Sequence, residues 1–388
     1  MKVLIVGPAY PFRGGIANFN EALGEAFIQK NIEAEIVSFT RQYPNFLFPG
    51  SSQYDYQKAK PNIRITPLIH TYNPFTWFHV AKKICAMKPD LILARYWLPF
   101  LAPALGFILK RVKKKLNCPI IAITDNIIPH EKRPGDSFLT RYFIKACDGF
   151  VAMSDSVLKE LSEFTSTPNK AFNPHPIYHI FGDKIERQEA IKKLNLAPEY
   201  DYALFFGFIR SYKGLDLLLK SFALIHKEIP KVKLLIAGEF YEDSKAYLDI
   251  IYENQLEEKV VLHNHYIPDE NVKLYFSAAN LVVQPYKTAT QSGVTQIAYH
   301  FDRPMIVTNV GGLPEMVKNQ ICGFVVNPQP IEIASAIKEY FTKNLETEMS
   351  RNCNEEKARF AWSEMVETIL KLSNAILTQK APTNSTRS

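Results

Sequence analysis

Short apolar, β-branched runs alternate with longer amphipathic segments along almost the whole chain, and the rhythm runs through twice. Such alternation demands βαβ units, because successive strands joined through a helix run parallel in one sheet. In the first half the pattern predicts strands over 2–6, 33–39, 63–67, 90–94, 120–124 and 149–152, with helices over 15–30, 74–87, 99–116, 137–146 and 155–164. In the second half it predicts strands over 203–206, 233–237, 260–263, 281–283, 305–307 and 323–326, with helices over 215–228, 244–255, 270–278, 291–300 and 331–343. Two doubly wound α/β domains in tandem fit a chain of 388 residues, given roughly 150 residues per domain as a prior. The boundary falls near 174–186, where Asn173-Pro-His-Pro176 and a polar run over 182–187 read as extended linker, since a residue before proline is pushed out of the helical region. The expected domains are 1–174 and 175–361, followed by a helix over 362–380 and a disordered polar tail over 381–388.

Charge separates the two halves. Residues 1–174 carry 22 basic and 13 acidic side chains, a net of +9, whereas 175–388 carry 24 and 26, a net of −2, and together these make the +7 of the chain. The basic excess therefore belongs to the N-terminal half and suggests an anionic partner there. No zinc-finger spacing, RNP run or basic zipper accompanies it, which argues against nucleic acid. The five cysteines contain no C-x-x-C pair and suggest buried thiols in a reducing compartment rather than a disulfide framework. The apolar run at the N-terminus is too short for a signal peptide. The longest apolar stretch, 97–109, is broken by Pro99 and Pro103 and falls short of the roughly 20 residues that span a bilayer. The expected location is cytoplasmic, with the inner face of the plasma membrane as a candidate anionic surface.

In open α/β sheets ligands gather beyond the carboxyl ends of the strands. Two stretches of sequence follow strands in a way that suits an anion. Gly7-Pro-Ala-Tyr-Pro-Phe-Arg-Gly-Gly-Ile16 leads from a strand through Gly14 and Gly15 into a helix, whose free amides and dipole favour negative charge. Without G-x-G-x-x-G spacing it does not support NAD or FAD, and the glycines also serve a simple tight turn. Phe205-Phe-Gly-Phe-Ile-Arg-Ser-Tyr-Lys-Gly214 brings Arg210 and Lys213 together at the next such site. Two cations beside a positive dipole end repel one another unless an anion neutralises them, and a diphosphate suits that arrangement.

Gly207-x-Ile-Arg-x-x-Lys-Gly214, the stretch Pro285-Tyr-Lys-Thr-Ala-Thr-Gln-Ser-Gly293, Gly311-Gly-Leu-Pro-Glu315 and Gly14-Gly-Ile16 together resemble glycosyltransferase family 4 over nearly the whole chain. The resemblance implies a retaining enzyme of GT-B architecture, two Rossmann-like domains facing a cleft, with the last helix crossing back to the first domain. It places Arg210 and Lys213 as catalytic cations on the diphosphate of a nucleotide sugar, stabilising the charge that builds on the leaving group. It implies that Gly15 turns amides toward phosphate or acceptor, and that Ser292, Gly293 and Val294 offer amides to sugar or phosphate. Glu239 and the Tyr266–Ile267 turn would lie beside the donor. UDP is the commonest expectation for the nucleotide, with GDP or ADP as alternatives, and no metal is implied.

The departures narrow what carries over. Many members hold two glutamates with seven residues between them, one on the sugar and one on the ribose; alignment on the neighbouring motifs puts Thr288 and Gln296 there, which can bond hydroxyls without charge. Asp125 stands where members often have histidine, and reads either as a catalytic or acceptor-orienting carboxylate or as a cap on local backbone. His130 and Glu131 are candidates for holding that loop or the acceptor, without a third ligand that would make a metal site. Glu315 suits a helix cap, and His175 near the hinge reads as positional. Finally, Leu101, Leu105, Ile108, Val112 and Leu116 form an apolar helical stripe ending in Lys110-Arg-Val-Lys-Lys-Lys115. That helix reads either as core-packed with cations on its C-terminal dipole or as a basic amphipathic surface for anionic lipid.

The reading is thus a glycosyltransferase moving a sugar from a nucleoside diphosphate donor to an acceptor hydroxyl, in surface glycan or glycolipid synthesis. A nucleotide-sugar epimerase of the same fold, and a non-catalytic nucleotide-sugar-binding or assembly protein, are the alternatives.

Overall fold

The computed structural model describes residues 1–44, 53–54, 56, 60–127, 133–177, 181–289 and 292–380. It divides into two compact units, Met1–Pro174 with the segment from Trp362 onward, and His175–Ala361.

In the first unit, β1 (Lys2–Val6), β2 (Glu33–Arg41), β3 (Arg64–His70), β4 (Leu91–Tyr96), β5 (Ile120–Thr124), β6 (Gly149–Ala152) and β7 (Lys170–Phe172) form a sheet in the order β3-β2-β1-β4-β5-β6-β7. Every adjacent pair is parallel. The connecting helices are α1 (Gly15–Gln29), α2 (Pro74–Ala86), α3 (Ala102–Lys113), α4 (Asp136–Ile144) and α5 (Asp155–Phe164). β1 is an interior strand, and its Val3, Leu4, Ile5 and Val6 are all buried because helices cover both faces of a parallel sheet. α3 turns Leu105, Ile108, Leu109 and Val112 into that core, at the i, i+3, i+4, i+7 spacing of one helical face.

Two elements differ from the sequence expectation. β3 continues past Pro67, where the pattern predicted an end, because it is an edge strand and the amide that proline lacks has no neighbour to serve. β7 is three residues long with little burial, too short to register as an alternating run.

The second unit repeats the plan. β8 (Asp201–Phe206), β9 (Val232–Ala237), β10 (Val260–His263), β11 (Leu281–Gln284), β12 (Met305–Thr308) and β13 (Gly323–Val326) lie in the order β10-β9-β8-β11-β12-β13, again all parallel. Its helices are α6 (Arg187–Lys193), α7 (Leu215–Ile225), α8 (Lys245–Glu253), α9 (Asp269–Ala278), α10 (Gly293–His300), α11 (Leu313–Met316), α12 (Pro330–Thr342) and α13 (Glu346–Glu356). Two apolar clusters cover the two faces of this sheet. α6 starts where the sequence suggested the linker was ending; it is polar apart from Ala190 and Ile191, which dock it on the core.

The chain then re-enters the first unit as α14 (Trp362–Lys380). Trp362 packs edge-on against Phe19 of α1 with ring centroids 5.0 Å apart, Lys30 pairs with Glu367, and Lys380 reaches Asp148 at 3.0 Å. A Cβ on Gly149 would lie 2.8 Å from Ile376 Cδ1 and 3.2 Å from the Asn169 carbonyl oxygen, so glycine eases the close approach of α14 to β6. The tail over 381–388 lies outside the described residues. The five cysteines are free thiols, four of them buried and Cys85 half-buried.

Ile376 is buried between α14 and the sheet. Ile376→Ala is expected to destabilise the first unit by about 2–4 kcal/mol, read as a lower denaturant midpoint for the transition that unfolds it.

Candidate active site

The carboxyl ends of β8, β9 and β11 are held together by backbone contacts so close that glycine is required. The Gly207 amide donates to the Ala237 carbonyl at 2.9 Å, the Ile209 amide to Glu239 at 2.8 Å and the Tyr241 amide to Ile209 at 3.0 Å. A Cβ on Gly238, whose φ is 151°, would fall 2.2 Å from the Gly207 carbonyl oxygen. Gly214, at φ 71°, sits against β11's loop, where a Cβ would be 2.0 Å from the Pro285 oxygen. The Lys287 amide donates to the Tyr212 carbonyl at 2.7 Å across the same seam.

This packing positions the two cations. Arg210 caps a 3₁₀ turn over Ser211–Lys213, which precedes α7; the turn, rather than the helix itself, carries the pair. The Arg210 guanidinium lies 3.9 Å from the centre of the Tyr241 ring. Lys213 is buried beneath Gly207, its Nζ 2.9 Å from where a Cβ on that glycine would be, and Val294 Cγ2 is 4.0 Å from the same point. The Lys213 amine thus faces the start of α10. Neither cation is paired with a carboxylate among the described residues. Burial, and secondarily the Arg210 charge, pulls the Lys213 pKa down to about 8.

At the start of α10, Ser292 Oγ accepts from the Val294 amide at 3.2 Å and lies 3.2 Å from the Tyr286 hydroxyl. Open space surrounds Gly293. Gln296 is almost fully buried, yet neither its Nε2 nor its Oε1 has a hydrogen-bond partner among the described residues, and Gln284 Nε2 shares that condition. Buried amides left unpaired cost about 1–3 kcal/mol each, so this cluster is suited to a polar ligand. Thr288 and Glu239 are exposed. The side chain of Ile267 packs into the core, which leaves its backbone as the group available at that turn. Beside it Phe208, Tyr241 and Tyr266 form an exposed aromatic cluster, with Phe208 6.4 Å from Tyr241 and 6.1 Å from Tyr266.

In the first unit the candidates also gather at strand ends. Gly14, at φ 110°, precedes α1 and Gly15 opens it, and no atom lies within 4 Å of a Cβ built on either. Asp125 follows β5, its amide donating to the Tyr96 carbonyl at 3.0 Å. Arg95 grips its carboxylate through both Nε, at 2.7 Å, and Nη2. Arg95 is itself buried, with its guanidinium 3.9 Å from the centre of the Phe19 ring. Burial pushes the Asp125 carboxyl upward against the opposing pull of Arg95. The arginine partner escapes sequence reading because it sits 30 residues away on the neighbouring strand. His130 and Glu131 lie outside the described residues. Glu315 stands in the first turn of α11, and the Arg359 guanidinium donates to its backbone oxygen at 2.9 Å. Among the described residues no group of three metal-ligating side chains forms.

Known families match both units. The family described as Glycosyltransferase Family 4 matches residues 13–172, and that described as Glycosyl transferases group 1 matches residues 186–360. An uncharacterized glycosyltransferase of Methanocaldococcus jannaschii is 23% identical over 353 residues, covering 85% of this chain and 86% of the relative. Among solved structures, a glycosyltransferase from Rickettsia africae superposes with a TM-score of 0.73 at 16% identity, covering 97% of this chain and 98% of that one. Anabaena HepE in complex with UDP superposes at 0.68 and 14% identity, covering 98% and 100%. With a characteristic family match on each of its two Rossmann-like units, the chain belongs to the family 4 glycosyltransferases and is a transferase of the GT-B fold.

Proposed function

We propose that this glycosyltransferase moves a hexose from a nucleoside diphosphate sugar to an acceptor hydroxyl with retention at the anomeric carbon, the second unit holding the donor and the first the acceptor. One observation carries the reading: among the described residues Arg210 and the buried Lys213 have no carboxylate partner, and the Lys213 amine meets the amide-rich start of α10 across Gly207. A diphosphate supplies the missing negative charge. As the bond from the anomeric carbon to the diphosphate breaks, charge grows on the departing oxygen, and preformed cations lower the barrier without reorganising. The acceptor oxygen bonds to the same face, and its proton passes to the oxygen that has just become basic.

The remaining residues take supporting parts. Ser292, Gly293 and Val294 present amides to the phosphate or sugar, and Gln296 and Thr288 bond donor hydroxyls where charge is not required. Glu239 and the backbone at Ile267 border the nucleoside. Gly14 and Gly15 leave room for phosphate or acceptor, and Asp125, aimed by Arg95, orients the acceptor hydroxyl. UDP is the preferred nucleotide, in keeping with a neighbour of the same fold solved with UDP. The acceptor is a surface glycan or lipid-linked sugar reached at the inner membrane face; no described helix is long and apolar enough to cross a bilayer.

The double variant Arg210→Ala, Lys213→Ala is expected to lose nucleotide release from a panel of sugar nucleotides by at least 100-fold, on the scale of about 3 kcal/mol for one lost transition-state donor, with its circular dichroism unchanged. Undiminished release overturns the diphosphate assignment, and conversion of the donor sugar without acceptor points to an epimerase instead. Binding depends on pH with a definite sign. Diphosphate favours protonated Lys213, whose free-state pKa is about 8. Affinity for UDP measured by calorimetry is therefore expected to hold below that pH and to fall about tenfold per unit above it, the slope vanishing in Lys213→Ala. Gln296→Leu removes the two unpaired buried amide atoms. It is expected to leave stability unchanged or raised while weakening donor binding by about 10-fold, equivalent to one hydrogen bond of about 1 kcal/mol or slightly more.

A further inference from the structure

Three helices of the first unit, α2, α3 and α4, pack side by side on one face of its sheet. Each buries one stripe, including Val80 and Ile84 on α2, Ile108 and Val112 on α3, and Phe143 and Ile144 on α4. The opposite stripes, at the same helical spacing, point outward: Phe75, Phe78 and Lys82; Phe107, Lys110, Arg111 and Lys114; Phe138, Tyr142 and Lys145. Side-chain contacts knit the three stripes into one surface. Phe78 meets Phe107 edge-on with centroids 4.8 Å apart, the Arg111 guanidinium lies 4.4 Å from the Phe78 ring centre, and Lys110 Nζ lies 3.5 Å from that of Tyr142. Between them is an open depression of about 360 Å³ lined by Phe107, Lys110, Arg111, Lys113, Lys114 and Tyr142.

Two properties of this surface are costly in water. Phe75 is 90% exposed, Phe138 73% and Phe78 53%, on the two helices that flank α3, on a face that also carries charge. The charge is of one sign. Lys113 turns aside to Asp148 at 2.6 Å, but Lys82, Lys110, Arg111, Lys114 and Lys145 have no carboxylate partner among the described residues. Partial burial and the nearby Lys145 both push the Lys110 pKa down, as expected where cations accumulate without counter-charge.

We propose that the outward face of α2, α3 and α4 is a membrane-docking surface for anionic phospholipid, with Phe75 and Phe138 entering the headgroup layer on either flank and Lys110, Arg111 and Lys114 holding lipid phosphates over the central depression. A plane of negative phosphates above hydrocarbon satisfies both properties together, whereas an acidic protein or a nucleic acid leaves the separated phenylalanines without a common apolar phase. Phe75 and Phe138 sit in the first turns of α2 and α4, at the carboxyl end of the sheet where Asp125 lies. A docked unit therefore presents that end near the bilayer surface. The use made of docking rests on the lipid-linked acceptor proposed above; the docking chemistry does not.

The test is co-sedimentation of the full chain with vesicles of phosphatidylcholine alone and of phosphatidylcholine mixed in equal parts with phosphatidylglycerol. Binding is expected only to the anionic vesicles, weakening as salt is raised to a residual fraction held by the aromatic side chains. Each cation near such a surface contributes about fivefold in partitioning, so Lys110→Gln, Arg111→Gln, Lys114→Gln together are expected to reduce it about 100-fold. Phe75→Ser, Phe138→Ser is expected to weaken it separately and to abolish the salt-resistant fraction. Circular dichroism and a denaturant midpoint for the first unit, both unchanged in the two variants, verify that they are folded. Equal binding to neutral vesicles, full binding by the charge variant, or capture by an oligonucleotide in place of vesicles overturns the proposal. Loss of glycosyl transfer with vesicle binding intact counts against the enzymatic reading instead.

Discussion

A buried ammonium, with no carboxylate to answer it among the described residues, is the constraint around which the second unit is organised. Lys213 lies under Gly207, and burial costs it the stability of its charged form: a fall from 10.5 to about 8 corresponds to about 3 kcal/mol. A protein tolerates such a cost when the site is meant to receive an anion. The surroundings agree, since Gly207, Gly238 and Gly214 give up their side chains so that three strand-end loops can close around the amine, and α10 begins opposite it. Larger residues at Gly238 and Gly214 would clash with backbone, and one at Gly207 would meet the Lys213 amine itself.

The first unit treats charge in the opposite way. Asp125 receives a fixed partner in Arg95, which is itself clamped over Phe19. A carboxylate held on two sides by a guanidinium is oriented rather than free, which suits alignment of a substrate hydroxyl more than unassisted proton transfer. Among the described residues the cations without a carboxylate stand where a diphosphate is proposed, and the carboxylate is neutralised where a neutral hydroxyl is proposed. On the helical face of the same unit, Lys110 and Arg111 again have no carboxylate partner among the described residues and lie against aromatic rings.

Much of this was legible in the residues. The double βαβ rhythm is a local property, since each strand and helix states its period over a few turns, and both parallel sheets have the architecture it implies. Arg210, Lys213 and Gly214 were legible because a loop between strand and helix concentrates its chemistry within a few positions. Short or weakly buried elements were not: β7 and α6 carry too few apolar residues to show a period, and Pro67 signals a break that only an edge position cancels.

By itself the sequence determined the order of elements, the two-unit organisation, the segregation of basic charge into the first half and the spacing of glycines and cations over 207–214, because each depends on neighbours along the chain. Tertiary structure alone decided which partners those groups meet. Arg95 answers Asp125 from another strand, Gln296 is buried with its amide unpaired among the described residues, Lys113 is drawn off to Asp148 while Lys110 and Arg111 settle on aromatic rings instead, and Phe75 and Phe78 of α2 come onto one face with Phe138 of α4. These are contacts across tens of residues, set by the register of parallel strands and the rotation of helices against them, which no local window of sequence encodes.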